Sequence, residues 1–400
     1  MVAVEAPIRV VVLIDSLRQG GAEQSMMAIL PGLADHGIAP ELVLLRSVSA
    51  EREGALVDAG VPVRVIGHPN PLGLAVRVRS LLRDRRPALI HATLFDPIVA
   101  AGLASPGTGV PVLATQAITP AAPRPGDQAD SAGHPRKVRA ALAIEGFALR
   151  HLATQVHAVT PGVRDAVAER FRVDPARIAV VERGRDPHRF APPTPEEHRA
   201  ARAGLPVAPD AEVVVALGRH DPAKAFEDLI SAIGRLASDR PRLRLLLAGR
   251  EGTATDALRA AIDRNGVGDR VHLLGDRSDP ERLLAAADVF VLSSRREGTS
   301  GATIEAMATG LPVVATDLEG MRGILVDGEQ ARLVPVGDPA ALAAGIGEIL
   351  DHPELAERLG AAGRATFESR FTLERSVEAM ACLYREVATA GRGRKGRRAG

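Results

Sequence analysis

Cysteine is almost missing from this sequence: Cys382 is the single one in 400 residues. A lone thiol excludes a disulfide framework and a cysteine-built zinc cage. It suits a reducing compartment. Tryptophan is absent, with one tyrosine, Tyr384, and eight phenylalanines. So few rings argue against a base-stacking platform for single-stranded nucleic acid. The net charge is +1, so no strong field draws nucleic acid or an anionic surface. Nucleic acid is therefore not an expected partner. No run approaches the roughly 20 apolar residues that span a bilayer. The opening MVAVEAPIRVVVLIDS lacks a basic region, a following apolar stretch and a cleavage site, so it reads as a buried strand and not a signal peptide. Lysine is scarce too: only Lys137, Lys224 and Lys395 occur. A lysine in a loop is therefore informative here.

What is present is the mix of a globular protein, 46% hydrophobic and 25% charged. The core has to come from Leu, Val, Ile and Ala. Short β-branched runs recur at 8–14, 41–45, 61–66, 88–92, 110–115, 154–160 and 178–182. They continue at 212–217, 242–249, 270–275, 288–294 and 312–316. They do not alternate strictly, as expected of strands buried on both faces of a parallel sheet. Helical stretches separate them. That pattern predicts βαβ units and an α/β fold of two Rossmann-like, doubly wound parallel-sheet domains facing a cleft.

Seven runs precede residue 185 and at least five follow residue 210, too many for one sheet. The proline- and charge-rich DPHRFAPPTPEEHRAARAGLPVAPD between them reads as a linker. The expected domains are 1–190 and 205–370, with a helix at about 372–390 free to pack back onto the first. ITPAAPRPGDQADSAGHPRK (118–137) reads as a mobile loop. GRGRKGRRAG (391–400) reads as a disordered basic tail. Its charge allows weak peripheral contact with anionic head groups, at the inner face of a membrane, for an otherwise cytoplasmic protein.

Ligands of open α/β sheets bind beyond the carboxyl ends of the strands, so the loops there hold the candidates. After the first run, Gly20 and Gly21 open a helix from about Ala22 to His36. The loop either approaches a phosphate or reacting sugar, or is a plain tight turn. It is not the G-x-G-x-x-G dinucleotide fingerprint. In the second half, Gly218 and Arg219 end a strand, and Lys224 follows five residues after Arg219. These two cations beside a helix N-terminus either form a diphosphate site or a solvated pair. The fullest signal is SSRREGTSGATIEAMATGLPVVAT. There Glu297 and Gly298 turn the chain, and Thr299, Ser300 and Gly301 open a helix bearing Glu305, eight positions after Glu297. The loop N–H groups suit phosphate oxygens. Glu305 suits paired ribose hydroxyls. Glu297 lies nearer the cleft, where sugar hydroxyls or developing positive charge would sit.

From GRHDPAKAFEDLI through LLLAGREG, RVHLLGDRSDPERLLAAADVFVLSS, EGTSGATIEAMATGLPVVATD and LVPVGDPAALA, the chain resembles the group 1 retaining glycosyltransferases of the GT-B fold. QGGAE, AVTPGVRDAV and RDPHRFAP extend the likeness over about 8–390. The resemblance implies a nucleotide-diphosphate-sugar donor, UDP- or GDP-linked, on the second domain. It also implies an envelope, lipid or metabolite acceptor held mainly by the first, with transfer of a hexose-type sugar. Retention at the anomeric carbon, no cofactor and no obligatory metal follow in the same way. By resemblance, Arg219 and Lys224 hold the diphosphate, Glu305 the ribose and Glu297 the sugar. Gly298 to Gly301 contact phosphate and sugar. Leu274, Gly275 and Arg277 lie near the base, and Gly20 and Gly21 approach the donor across the cleft.

The sequence departs from the family in three places. Ala117 stands where the family has a donor-contacting histidine. His91 survives at a strand end, either reaching the cleft or packed within the sheet. Glu182-Arg183-Gly184-Arg185-Asp186 replaces a proline-asparagine-glycine turn, adding charge that either suits an anionic acceptor or is solvated. Gly320-Met321-Arg322-Gly323 replaces the family's Gly-x-Pro-Glu. These departures motivate a second expectation, a nucleotide-sugar-binding protein on the same fold without transfer. A nucleotide-sugar epimerase is a third.

Overall fold

A computed structural model of the chain describes residues 6–18, 21–67, 71–117 and 135–396. Gly20, most of the loop expected at 118–137 and the last four residues lie outside the described set. Two compact units result: Met1–Gly184 with Leu373–Gly400, and Arg185–Thr372.

The first unit is built on β1 (Ile8–Ile14), β2 (Ile38–Leu44), β3 (Val63–Val65), β4 (Leu89–Thr93), β5 (Val112–Gln116), β6 (Gln155–Ala158) and β7 (Ile178–Val180). They form one parallel sheet in the order β3-β2-β1-β4-β5-β6-β7. β1 pairs with β2 from Ile8↔Ile38 to Ile14↔Leu44. On its other side it pairs with β4 from Val10↔Leu89. Successive side chains of β1 point to opposite faces. Val11 and Leu13 join one core with Ile90, Val112 and Val156. Val10, Val12 and Ile14 join a second with Met26, Leu30 and the C-terminal helix residues Val377, Met380 and Tyr384. Burial on both faces is why these strands read as continuous apolar runs.

The second unit holds β8 (Glu212–Leu217), β9 (Leu243–Ala248), β10 (Val271–Gly275), β11 (Val289–Leu292), β12 (Val313–Thr316) and β13 (Arg332–Val334). Its parallel order is β10-β9-β8-β11-β12-β13. Among the described residues, twelve of the thirteen strands overlap a run read from the sequence. The exception, β13, is three residues long and starts on an arginine, too short to show a pattern. In each sheet the winding reverses once, between β1 and β4 and between β8 and β11. Such switch points leave a crevice at the carboxyl ends of the flanking strands.

The segment read as a linker is instead integral to the second unit. Its helix, Pro195–Arg202, carries a complete capping box between Thr194 and Glu197. Arg202 is buried. It pairs with both carboxylate oxygens of Asp288 at 2.9 and 2.8 Å and donates to the Ala286, Pro209 and Ala211 carbonyls. An arginine satisfied in this way holds the segment on the domain, which proline and charge content do not reveal. The unit therefore begins at Arg185, not 205. At the other end, the helix Leu373–Gly396 continues through residues expected in a disordered tail.

His91 is packed within the first sheet and does not reach its rim: it is fully buried. It belongs to a directional chain. The Val181 carbonyl can only accept, so His157 Nε2–H donates to it at 2.9 Å. His157 Nδ1 then accepts from the Thr115 hydroxyl at 2.8 Å. Thr115 Oγ1 accepts from His91 Nε2–H. His91 Nδ1 accepts from the Tyr384 hydroxyl at 2.7 Å. All four imidazole nitrogens are thereby satisfied with both rings neutral. Burial lowers the His91 pKa well below its ordinary value, with His157 adding to the effect. Burial also lowers His157 to about 4.

The folded state thus refuses protons that the unfolded chain takes up below about pH 6.5. Stability of the first unit should be full above that pH and fall as the pH drops towards about 4. Urea unfolding across that window checks it. His157→Gln should flatten the slope, and an unchanged slope would show that other groups set it. Tyr384→Phe strands the His91 acceptor and should cost about 1–3 kcal/mol in the same measurement.

Candidate functional site

Most sequence-predicted site residues of the second unit gather at its switch point, where β8 and β11 end. β8 runs into Gly218, whose φ of +157° and close approach to Lys224 Cε (3.1 Å from a would-be Cβ) disfavour any larger residue. A Cβ on Gly249 would lie 1.7 Å from the Gly218 carbonyl oxygen. Two facing glycines therefore let the ends of β8 and β9 touch. Asp221 caps the turn Pro222–Lys224, accepting from Ala223 N at 3.0 Å. Its other oxygen pairs with Arg219 Nη2 at 2.5 Å. The Arg219 side chain is 54% exposed, so its charge faces water with a carboxylate beside it.

Lys224 turns inward. Its Nζ lies 2.5 Å from Glu297 Oε1, with the side chains 24% and 13% exposed. Ser294 Oγ donates to the same oxygen at 2.9 Å. Backbone bonds lace the two loops together. Ser293 Oγ donates to the Lys224 carbonyl at 2.9 Å. Arg295 N donates to the Ala223 carbonyl at 2.7 Å. Thr316 Oγ1 at the end of β12 holds the Ser294 carbonyl at 2.6 Å. Behind the loop, a Cβ on Gly320 would sit 2.0 Å from the Glu297 carbonyl oxygen. That glycine gives the loop room to lie flat.

Gly298, Thr299 and Ser300 are buried and lead into the helix Gly301–Ala308. Ser300 Oγ caps it, accepting from Thr303 N at 3.3 Å. Its unsatisfied N–H groups give this end the character of an anion site. Glu305, one turn in, pairs with Arg185 Nε at 2.6 Å. On the neighbouring strand ends, Gly275 takes the left-handed conformation at φ +69° and its carbonyl accepts from Gly249 N at 2.8 Å. Leu274 packs on the core beneath. Arg277 forks onto Asp279 at 2.8 and 2.6 Å, which lowers the Asp279 pKa.

Two predicted residues lie elsewhere. Gly21 starts the helix Gly21–Gly32 of the first unit, and what approaches it is Arg183 Nη1, 3.1 Å from a would-be Cβ. Arg183 is itself buried. It partly offsets the burial that raises the Glu23 pKa. His91 sits in the core described above. Sequence reading did not single out Ser294, Gly249 or Arg185 as parts of this site. A strand-end glycine in LLLAGREG was the available sign for Gly249; nothing local marks the other two. Among the described residues no group of three or more His, Cys, Asp or Glu side chains could hold a metal ion.

The site thus combines fixed cations, two carboxylates and a helix N-terminus. It can hold a polyanion while presenting carboxylates to hydroxyls. Residues 198–366 match the family described as "Glycosyl transferases group 1". Residues 20–184 match the "Glycosyl transferase 4-like domain". The chain is 36% identical over 178 residues to the lipopolysaccharide core biosynthesis glycosyltransferase LpsE of Rhizobium meliloti, covering 44% of this chain and 51% of that protein. It is 34% identical over 224 residues to the D-inositol 3-phosphate glycosyltransferase of Streptomyces scabiei, covering 54% and 50%. The chain therefore spans about half the length of the curated relatives it matches. In structure it resembles Anabaena HepE in complex with UDP, with a TM-score of 0.82 and 21% identity over 95% of this chain and 100% of that one. This is a likeness of fold, and it assigns the two Rossmann-like units to the GT-B class.

Gly320→Ala should displace the Glu297 loop, because the new methyl meets rigid backbone. The expected cost is about 1–3 kcal/mol in denaturant unfolding, with weakened ligand binding. A variant as stable as the parent would show that the loop rests on something else.

Proposed function

We propose that the chain is a retaining, metal-independent group 1 glycosyltransferase that moves a hexose-type sugar from a UDP- or GDP-linked donor. The acceptor is an envelope, lipid or metabolite hydroxyl. The observation that carries this is the convergence of Lys224, Glu297 and the helix Gly301–Ala308 with Glu305 at one switch point. The relatives that resemble the chain support the class. HepE, which shares its fold, holds UDP and UDP-glucose.

In this reading Glu305 accepts from the ribose hydroxyls and the loop N–H groups take phosphate oxygens. As the bond from the anomeric carbon to the diphosphate oxygen breaks, its electron pair passes to that oxygen. Lys224, Arg219 and the helix N-terminus stabilise the growing charge, the task a divalent metal performs in other transferases. Glu297 faces the sugar, where positive charge develops. The acceptor oxygen bonds to the same face of the anomeric carbon, and its proton leaves on the departing diphosphate. No cofactor takes part.

Ala117 favours a second reading, nucleotide-sugar binding without transfer. Incubation with donor alone separates the two: slow release of sugar and nucleotide marks an enzyme, while tight binding without turnover marks a binding protein.

Glu305→Gln should weaken UDP or GDP binding about tenfold or more by titration calorimetry. Unchanged affinity for both nucleotides would count decisively against the assignment. Lys224→Ala should cut turnover far more than it lowers the melting temperature; a matched loss of both would make the lysine structural.

A further inference from the structure

A cavity of about 480 Å³ lies at the other end of the first sheet, where its strands begin. Pro7, Pro40, Pro62 and Pro87 line it together with Arg9 and Glu41. The fold accounts for the position. β1 and β2 start here in register, Ile8 beside Ile38. Pro62 and Pro87 lie just before β3 and β4. The cavity therefore belongs to the first unit and stands away from the carboxyl ends of the strands.

Its walls are stiff and poor in donors, because proline locks its own φ and brings no N–H. A volume of this size falls within the range of ligand pockets, which are largely apolar with a few polar groups that orient the ligand. The polar groups here are unequally matched. Glu41 meets Arg64 Nε at 3.0 Å and Arg85 Nε at 3.5 Å. One carboxylate thus already answers two cations. Arg9 is exposed on the same wall, and its guanidinium has no hydrogen-bond or ion-pair partner among the described residues. An arginine on a convex surface is solvated and needs no partner. Arg9 instead borders a concave space, where low-dielectric walls concentrate the field of a fixed charge. An anion that also carries apolar surface gains from both the guanidinium and the walls.

We propose that this cavity is a second ligand site, which takes a small amphiphilic anion. A carboxylate or phosphate head pairs with the fork of Arg9, and an apolar body lies against the prolines. The proposal is independent of the nucleotide-sugar reading, since no residue of the Lys224–Glu297 site takes part in it.

Octanoate and octyl phosphate, kept below their micelle concentrations, are titrated into the full chain by calorimetry. Octanol lacks the charge and acetate lacks the body, so these two serve as comparisons. Saturable binding of at least one anion is expected, with octanol and acetate about tenfold weaker or more. The tighter of the two anions identifies the head group. Arg9→Gln should weaken that anion about tenfold, and Arg9→Lys should restore part of the loss. Glu41→Gln removes the negative charge of the lining and should tighten the anion, a direction that a merely structural role would not give. Binding that does not saturate would overturn the proposal, as would equal affinity of the parent and Arg9→Gln. Octanol binding as tightly as the anions would overturn it too, because the cavity would then recognise apolar surface alone. Arg9 is exposed, so its variants should keep the parent's melting temperature, and they decide the matter if Glu41→Gln does not fold.

Discussion

One carboxylate oxygen ties the candidate site together. Glu297 Oε1 receives both Lys224 Nζ and Ser294 Oγ. It thereby links the turn that leaves β8 to the loop that leaves β11. Those two strands flank the point where the sheet reverses its winding, so no intervening strand fills the space beyond their ends. The loop is held from below as well, by Thr316 on the Ser294 carbonyl and by Gly320 against the Glu297 carbonyl. Site geometry is thus set mainly by backbone contacts and short bonds, and little reorganisation is left for a ligand to drive.

Close approach recurs as the means of building the site. Gly249 against Gly218, Gly320 against Glu297 and Gly301 beneath Arg185 all bring atoms nearer than a methyl group would allow. Each cation of the site also has a carboxylate partner: Arg219 with Asp221, Lys224 with Glu297, Arg185 with Glu305. An incoming polyanion meets charges already held in place and partly neutralised. Such a site selects a ligand that offers hydroxyls to the acids and phosphates to the bases at once. The first unit uses buried polarity for a different purpose. Its Tyr384–His91–Thr115–His157 chain joins the C-terminal helix to three strands through neutral groups.

Much of this was legible in the residues. The β-branched runs identified twelve strands because burial on both faces demands continuous apolar sequence. The spacing of Glu297, Gly301 and Glu305 placed an acid, a loop and a second acid in order, since a helix start fixes which side chains share a face. The misreadings have a common cause. The proline- and charge-rich segment after Arg185 looked like a linker until Arg202 was seen bonded to Asp288, 86 positions away. His91 was undecided between rim and core because its partner Tyr384 is 293 positions distant.

The sequence by itself determined the elements, their parallel arrangement and the chemical character of the loops at the strand ends. These follow from local periodicity, from glycine and proline, and from motif spacing. Only the tertiary structure decided which charge meets which. It turned Arg219 outward and Lys224 inward, buried His91 and laid Arg185 over Gly301. Such choices depend on distances between residues far apart in the chain, and composition and periodicity carry no information about those.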